Sequence, residues 1–167
     1  MAGASVIRTV TLSLATALVL LTTASSASAA VITVTGTGDT IANDGECTFR
    51  EAITSSNADN HAFDPGNGGL PGECDDGSGD DLIGFVLAGN SQHVISPATS
   101  LPDVTATVVI NAVSEVGEVV IDGSAVPSGA GLNVTADNSV VRHLTFGNWV
   151  GGIQVLEGDG IRIRDCY

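Results

Sequence analysis

Lysine is absent from this 167-residue chain, and its five arginines stand against 19 aspartates and glutamates, a formal net charge of −14. Phosphate contacts need cations. That balance excludes nucleic acid and anionic membrane surfaces as partners and favours a solvated acidic exterior. Beyond the first 29 residues no apolar run is long enough to cross a bilayer, which takes about 20 residues. Gly-x-Ser-x-Gly, the P-loop and the dinucleotide fingerprint are all missing. His61, His93 and His143 are scattered, without the Cys–His spacing of a zinc site, and read as surface histidines.

What is there begins with an export signal. Arg8 is the only charge in residues 1–29, residues 9–23 are rich in Leu, Val, Ala and Thr, and Ala27-Ser28-Ala29 puts small residues before a cleavage point. This pattern reads as a secretory signal peptide, and it places the remaining chain at the cell surface or beyond. All 19 carboxylates then face only Arg50, Arg142, Arg162 and Arg164. Export also exposes Cys47, Cys74 and Cys166 to oxidising conditions. Cys47 and Cys74 flank a stretch rich in Asn, Asp, Gly and Pro with little apolar content, so a disulfide between them is expected, worth roughly 3 kcal/mol by loop entropy.

Thr48 and Glu51 have the three-residue spacing of a helix capping box, and Phe49, Ala52 and Ile53 fall on one face of the helix that follows, over about Thr48 to Asn57. Short β-branched runs surround it: 31–36, 82–87, 93–96, 105–112 and 119–122. From Val108 onward the strands recur. Ile121, Val141 and Ile163 form one series, and Leu132 with Val134 and Ile153 with Val155 form another, both at a period of about 21 residues. Interleaved short strands at one period, with Gly, Asn or Asp at the corners, predict an all-β parallel solenoid, a β-helix. The open end of such a stack exposes unpaired backbone groups and needs a cap. The helix and its disulfide-closed loop supply one. The domains expected are a signal peptide at 1–29, a cap region at 30–104 and the first β-helix rungs at 105–167.

Cys-Thr-Phe-Arg-Glu-Ala at 47–52 is similar to the Cys-Ser-Leu-Arg-Glu-Ala (CSLREA) motif near the N-terminus of many exported bacterial proteins, with four of six positions identical. The Asn57 region, Cys74 in its Gly/Asp loop, 81–85, Leu101-Pro102 and 120–123 fit the same context. The resemblance implies a right-handed parallel β-helix following the motif. It implies no particular reaction, and no catalytic residue is carried over.

Two clusters carry candidate chemistry. Asp75, Asp76, Asp80 and Asp81 pack four carboxylates into seven residues. Oxygen-rich flexible loops suit calcium, although the spacing matches neither an EF-hand nor the nonapeptide calcium repeat. The plainer reading is a solvated turn. Asp122, Arg142 and Arg164 each follow a residue of the first series, which predicts an outward ladder. Its structural reading is an acid–base stack, and its functional one is a strip gripping acidic polysaccharide. Cys166 aligns with Leu144, an inward position. The third rung has only begun at Tyr167, so the chain is expected to be the N-terminal piece of a longer protein. The functional expectation is an exported structural or adhesive protein without catalysis or cofactor, partnered by carbohydrate or another surface protein. The rivals are a polysaccharide lyase or hydrolase with its active rungs elsewhere, and a non-functional fragment.

Overall fold

The computed structural model describes residues 28–59, 74–89, 91–113 and 117–167. The expected signal peptide falls almost wholly outside the described residues, as do His61 and most of the polar loop before Cys74.

The described elements are, in order, β1 (Val31–Val34), α1 (Phe49–Ala58), β2 (Asp81–Phe85), β3 (His93–Ile95), β4 (Val108–Asn111), β5 (Val119–Asp122), β6 (Ala130–Val134), β7 (Val140–Arg142), β8 (Leu144–Gly147), β9 (Gly151–Val155) and β10 (Arg162–Arg164). The strands form three sheets, β1-β2-β4-β7-β10, β3-β5-β8 and β6-β9, and every pairing is parallel. A lone parallel bridge between Val104 and Val134 extends the third sheet by one step. From β2 onward the chain therefore visits the first, second and third sheets in turn, and then repeats the circuit. Parallel partners cannot be joined by a hairpin, so each return to a sheet comes only after the other two have been visited. Among the described residues no helix is long and apolar enough to cross a membrane.

Alternation turns every second residue inward. Ile32, Ile83, Ile110, Val141 and Ile163 make one inward row of the first sheet. Ile95, Ile121 and Phe146 make a row of the second, and Leu132 and Ile153 a row of the third. Their buried members join a single core cluster. The first row is sealed over four steps and opens at the last: Val141 is 0 % exposed and Ile163 is 42 %.

The register corrects one of the two expected series. Leu132 with Ile153 and Val134 with Val155 pair as the period requires, as does Val141 with Ile163. Ile121, however, lies in the second sheet opposite Phe146, and the partner of Val141 below is Ile110. The cause is His143. It adopts a left-handed conformation (φ 62°) and turns the chain from β7 in the first sheet to β8 in the second, so β5 meets β8 and not β7. Histidine is among the few non-glycine residues enriched in that region. Asp165 (φ 50°) repeats the same corner one step on. The backbone bonds from Tyr167 N to Leu144 O and from Phe146 N to Tyr167 O set Cys166 opposite Leu144, the expected alignment. The Cys166 thiol is half-buried and packs against the core.

The start of the stack is closed by α1, which packs on β1 and β2. Phe49, Ala52 and Ile53 face inward and are buried, and the Phe49 ring meets Phe85 with centroids 5.3 Å apart.

Candidate functional site

The capping box forms as read. Glu51 N donates to the Thr48 hydroxyl (3.3 Å), and Thr48 N donates to Glu51 Oε2 (2.8 Å). Glu51 is 1 % exposed, and its carboxylate is filled by Thr48 Oγ1 (2.9 Å) and Ala42 N (2.8 Å) as well. Three donors around one anion at a helix N-terminus offset its desolvation. Arg50 is a clamp. Its Nε and Nη2 grip the two Asp39 oxygens at 2.9 and 3.0 Å, while Nη1 and Nη2 reach Ser100 O and Thr99 O, both at 2.9 Å. Asn57 does the same work at the other end of α1, a role the sequence did not reveal. It donates to Asp103 O (2.7 Å) and accepts from Thr105 N (2.8 Å) and Ala106 N (3.2 Å). Cys47 and Cys74 are bonded, with Cα atoms 4.6 Å apart at a sequence separation of 27. A Cβ on Gly77 would lie 2.3 Å from Ser55 O, so the loop beyond Cys74 is seated directly on the helix backbone. The sequence-predicted motif residues Thr48, Arg50 and Glu51 are thus brought together as a mechanical unit, the helix tied into both neighbouring segments.

The four carboxylates weighed for calcium differ in burial. Asp75, Asp76 and Asp80 are exposed, while Asp81 is buried in β2. Asp81 Oδ1 accepts from Ala30 N (3.1 Å) and Ser78 N (2.9 Å), which fastens the first strand to the loop. Among the described residues no three His, Cys, Asp or Glu side chains gather as a metal-binding group.

The expected Asp122–Arg142–Arg164 ladder does not form. Asp122 belongs to the second sheet, opposite Gly147, where its carboxylate closes a corner. Hydrogen bonds from Asn148 Nδ2 (2.7 Å), then Ser124, hold it below its ordinary range. In the first sheet Arg164 stands directly opposite Arg142, with Asn111 on the other side of Arg142. His93 also departs from expectation. It is 6 % exposed, inward in β3, opposite Val119. An edge position of the second sheet is still interior because the core continues beneath it, and single-strand alternation does not distinguish the two cases.

A groove of about 570 Å³ lies over the corner between the first and second sheets, lined among others by Glu118, His143, Thr145, Asp165 and Tyr167. His143 Nδ1 donates to Asn111 Oδ1 (3.2 Å), and its Nε2 lies 3.7 Å from Asp165 Oδ2. Glu118 accepts from the Thr145 hydroxyl and from Gln92 Nε2 (2.8 Å), and these bonds, Thr145 first, lower its pKa below the ordinary 4.5. It is therefore an anion at neutral pH, an acceptor and not a proton donor. The Thr145 hydroxyl is committed to Glu118. The groove can hydrogen-bond a polar ligand, and the two groups whose roles are defined by their partners serve its walls. Comparison with protein-family models, with curated proteins and with solved structures finds no match to this chain.

Proposed function

We propose that this chain forms a right-handed parallel β-helix, with a helical cap over its first strands, in an exported protein with a structural or adhesive role at the cell surface. The observation that carries the reading is the circuit: three parallel sheets visited in constant order, sharing one core. Parallel crossovers are right-handed in nearly all proteins, which supplies the hand. The cap supports the same reading. Helix, clamp and disulfide cover the first edge of the stack, the place where exposed backbone invites unwanted pairing. A disulfide across a polar loop suits an oxidising location, in line with the signal-like residues 1–29.

The lyase or hydrolase rival needs acidic groups on one face of successive strands. The described outward rows of the first sheet run Leu82, Val109, Val140, Arg162 and Gly84, Asn111, Arg142, Arg164, without a carboxylate. The test is to delete the gene in its source organism and measure envelope integrity and attachment to surfaces. The expected result is a defect restored by the wild-type chain and not by a Cys47→Ser/Cys74→Ser variant, with the wild-type protein found outside the cell and oxidised. Retention in the cytosol with both thiols free would sink the proposal.

A further inference from the structure

We propose that the outward face of the first sheet at β7 and β10 is an oxyanion-binding surface for a carboxylated oligosaccharide, contacted by Arg142, Arg162 and Arg164. The inference goes beyond the structural role above and rests on arginine placement alone.

The chain treats its arginines in two ways. Arg50 is saturated, its fork spent on Asp39 and two backbone carbonyls. The other three described arginines stand together. Arg164 is paired across the ladder with Arg142, and Arg162, opposite Val140, is two positions along the same face. Strands in a sheet lie about 4.8 Å apart and residues two apart on a strand about 6.7 Å, so the three arginines start from a triangle with two sides of that size and a diagonal of about 8 Å. Like charges directly opposite one another are destabilising. With 19 acidic residues available, a ladder position beside them could have carried a counter-ion. The neighbouring positions on this face carry Asn111, Val109 and Val140 instead. None of the three guanidinium groups has a hydrogen bond or ion pair among the described residues, and Arg142 Nε is buried without a partner. A buried donor left unmade is costly. An oxyanion held on the guanidinium groups from the solvent side would neutralise the repulsion between them.

The shape agrees with the charge. The three arginines line a shallow depression of about 240 Å³ whose floor is Val109 and Val140, both half-buried. Guanidinium forks match carboxylate, sulfate and phosphate bidentately, and a valine floor suits the C–H face of a sugar ring. Nucleic acid fits poorly. Duplex DNA carries a charge about every 1.7 Å and needs a wide cationic footprint, whereas this patch is small and the chain around it has a net charge of −14. A uronate chain, with one charge per sugar, meets a small patch without being repelled along its length. The competing account is that Arg162 and Arg164 only protect β10 as an edge strand, a known use of surface charge.

Calorimetric titration of the full chain decides between them, with four probes: a uronate hexasaccharide, its neutral methyl ester, a sulfated hexasaccharide and inorganic phosphate. The uronate should bind, more weakly as salt is raised, and the ester should not. Arg142→Gln, Arg164→Gln and Arg162→Gln should each weaken uronate binding about tenfold, equivalent to about 1.4 kcal/mol, and Arg142→Lys should recover only part of the loss, because the ammonium lacks the fork. Arg162 is exposed, so its variant keeps the fold and the test holds even if Arg142→Gln does not fold. Equal binding of acid and ester, or binding retained in the triple glutamine variant, would overturn the proposal. So would a sulfated chain or free phosphate binding better than the uronate. No binding of any probe to natively folded protein would leave the arginines as edge protection, against the proposal.

Discussion

The first-sheet row offers one deletion at two depths. Ile110 and Ile163 occupy equivalent inward positions on either side of Val141, yet Ile110 is 0 % exposed and Ile163 is 42 %. Ile→Ala removes three carbons, worth about 2.4 kcal/mol in transfer at about 0.8 per methylene. At Ile110 the strands above and below prevent collapse, and a residual void of about 50 Å³ adds about 1.2 kcal/mol at about 24 cal/mol per Å³. Ile110→Ala should therefore cost about 3.5 kcal/mol. At Ile163 only part of the side chain leaves water on folding and the vacated space is open, so Ile163→Ala should cost about 1.4 kcal/mol. Urea unfolding of the purified full chain, with m unchanged between variants, reads both numbers. Equal costs would refute the gradient of burial along the row, and with it the register that makes β7 an interior strand and β10 an outer one. A cost below about 1 kcal/mol at Ile110 would refute the shared core itself.

Three further tests address the cap, the core and the acidic corner. Removing both bridge cysteines as Cys47→Ala/Cys74→Ala should lower stability by about 3.5 kcal/mol from the 27-residue separation, read by urea unfolding of oxidised material, and a loss under about 1 kcal/mol would contradict the stapled-cap account. Val141→Asp places a lone charge where exposure is 0 % and should cost about 3–5 kcal/mol, whereas a change within about 0.5 kcal/mol would place Val141 at the surface. Glu118 and Asp122 have folded pKa values lowered by their hydrogen bonds, so each stabilises the fold above its unfolded pKa and loses that contribution as the pH falls through the folded value. Carboxyl-carbon NMR titration should show Glu118 titrating below its ordinary 4.5 and rising in Thr145→Val, and an unmoved midpoint would remove Thr145 as the cause.

The cap was legible because its signals are local. Thr48 and Glu51 are three residues apart, the reciprocal bonding needs only that spacing, and Phe49, Ala52 and Ile53 share a face by helical period alone. The disulfide followed from composition, a polar loop with a cysteine at each end. Asn57 was not legible. Its three clamp bonds depend on segment 103–106 lying alongside the helix terminus, a tertiary fact without a sequence period. His93 failed for a related reason, since inward or outward on a three-residue strand is decided by which sheet the strand joins.

The misread ladder shows how one backbone angle changes a functional argument. The sequence series places Asp122 beneath Arg142 by setting Ile121 in register with Val141, as though β5 and β7 shared a sheet. A left-handed His143 turns the chain from β7 to β8, β5 pairs with β8, and the place beside Arg142 goes to Asn111. A charge-balanced stack needs no ligand to explain it. Without its acid the same stack holds two arginines face to face and a third beside them, in a chain where carboxylates outnumber arginines almost fourfold. The structural explanation for the ladder thus loses its counter-ion at the step where the register is corrected, and the burden passes to the oxyanion or to edge protection. Those two differ over Arg142. Edge protection acts through the solvent-facing rim of β10 and predicts that Arg142, one strand inside, is dispensable. Anion binding makes Arg142 a full member of the site, its loss weakening uronate binding about tenfold as the loss of Arg162 or Arg164 does.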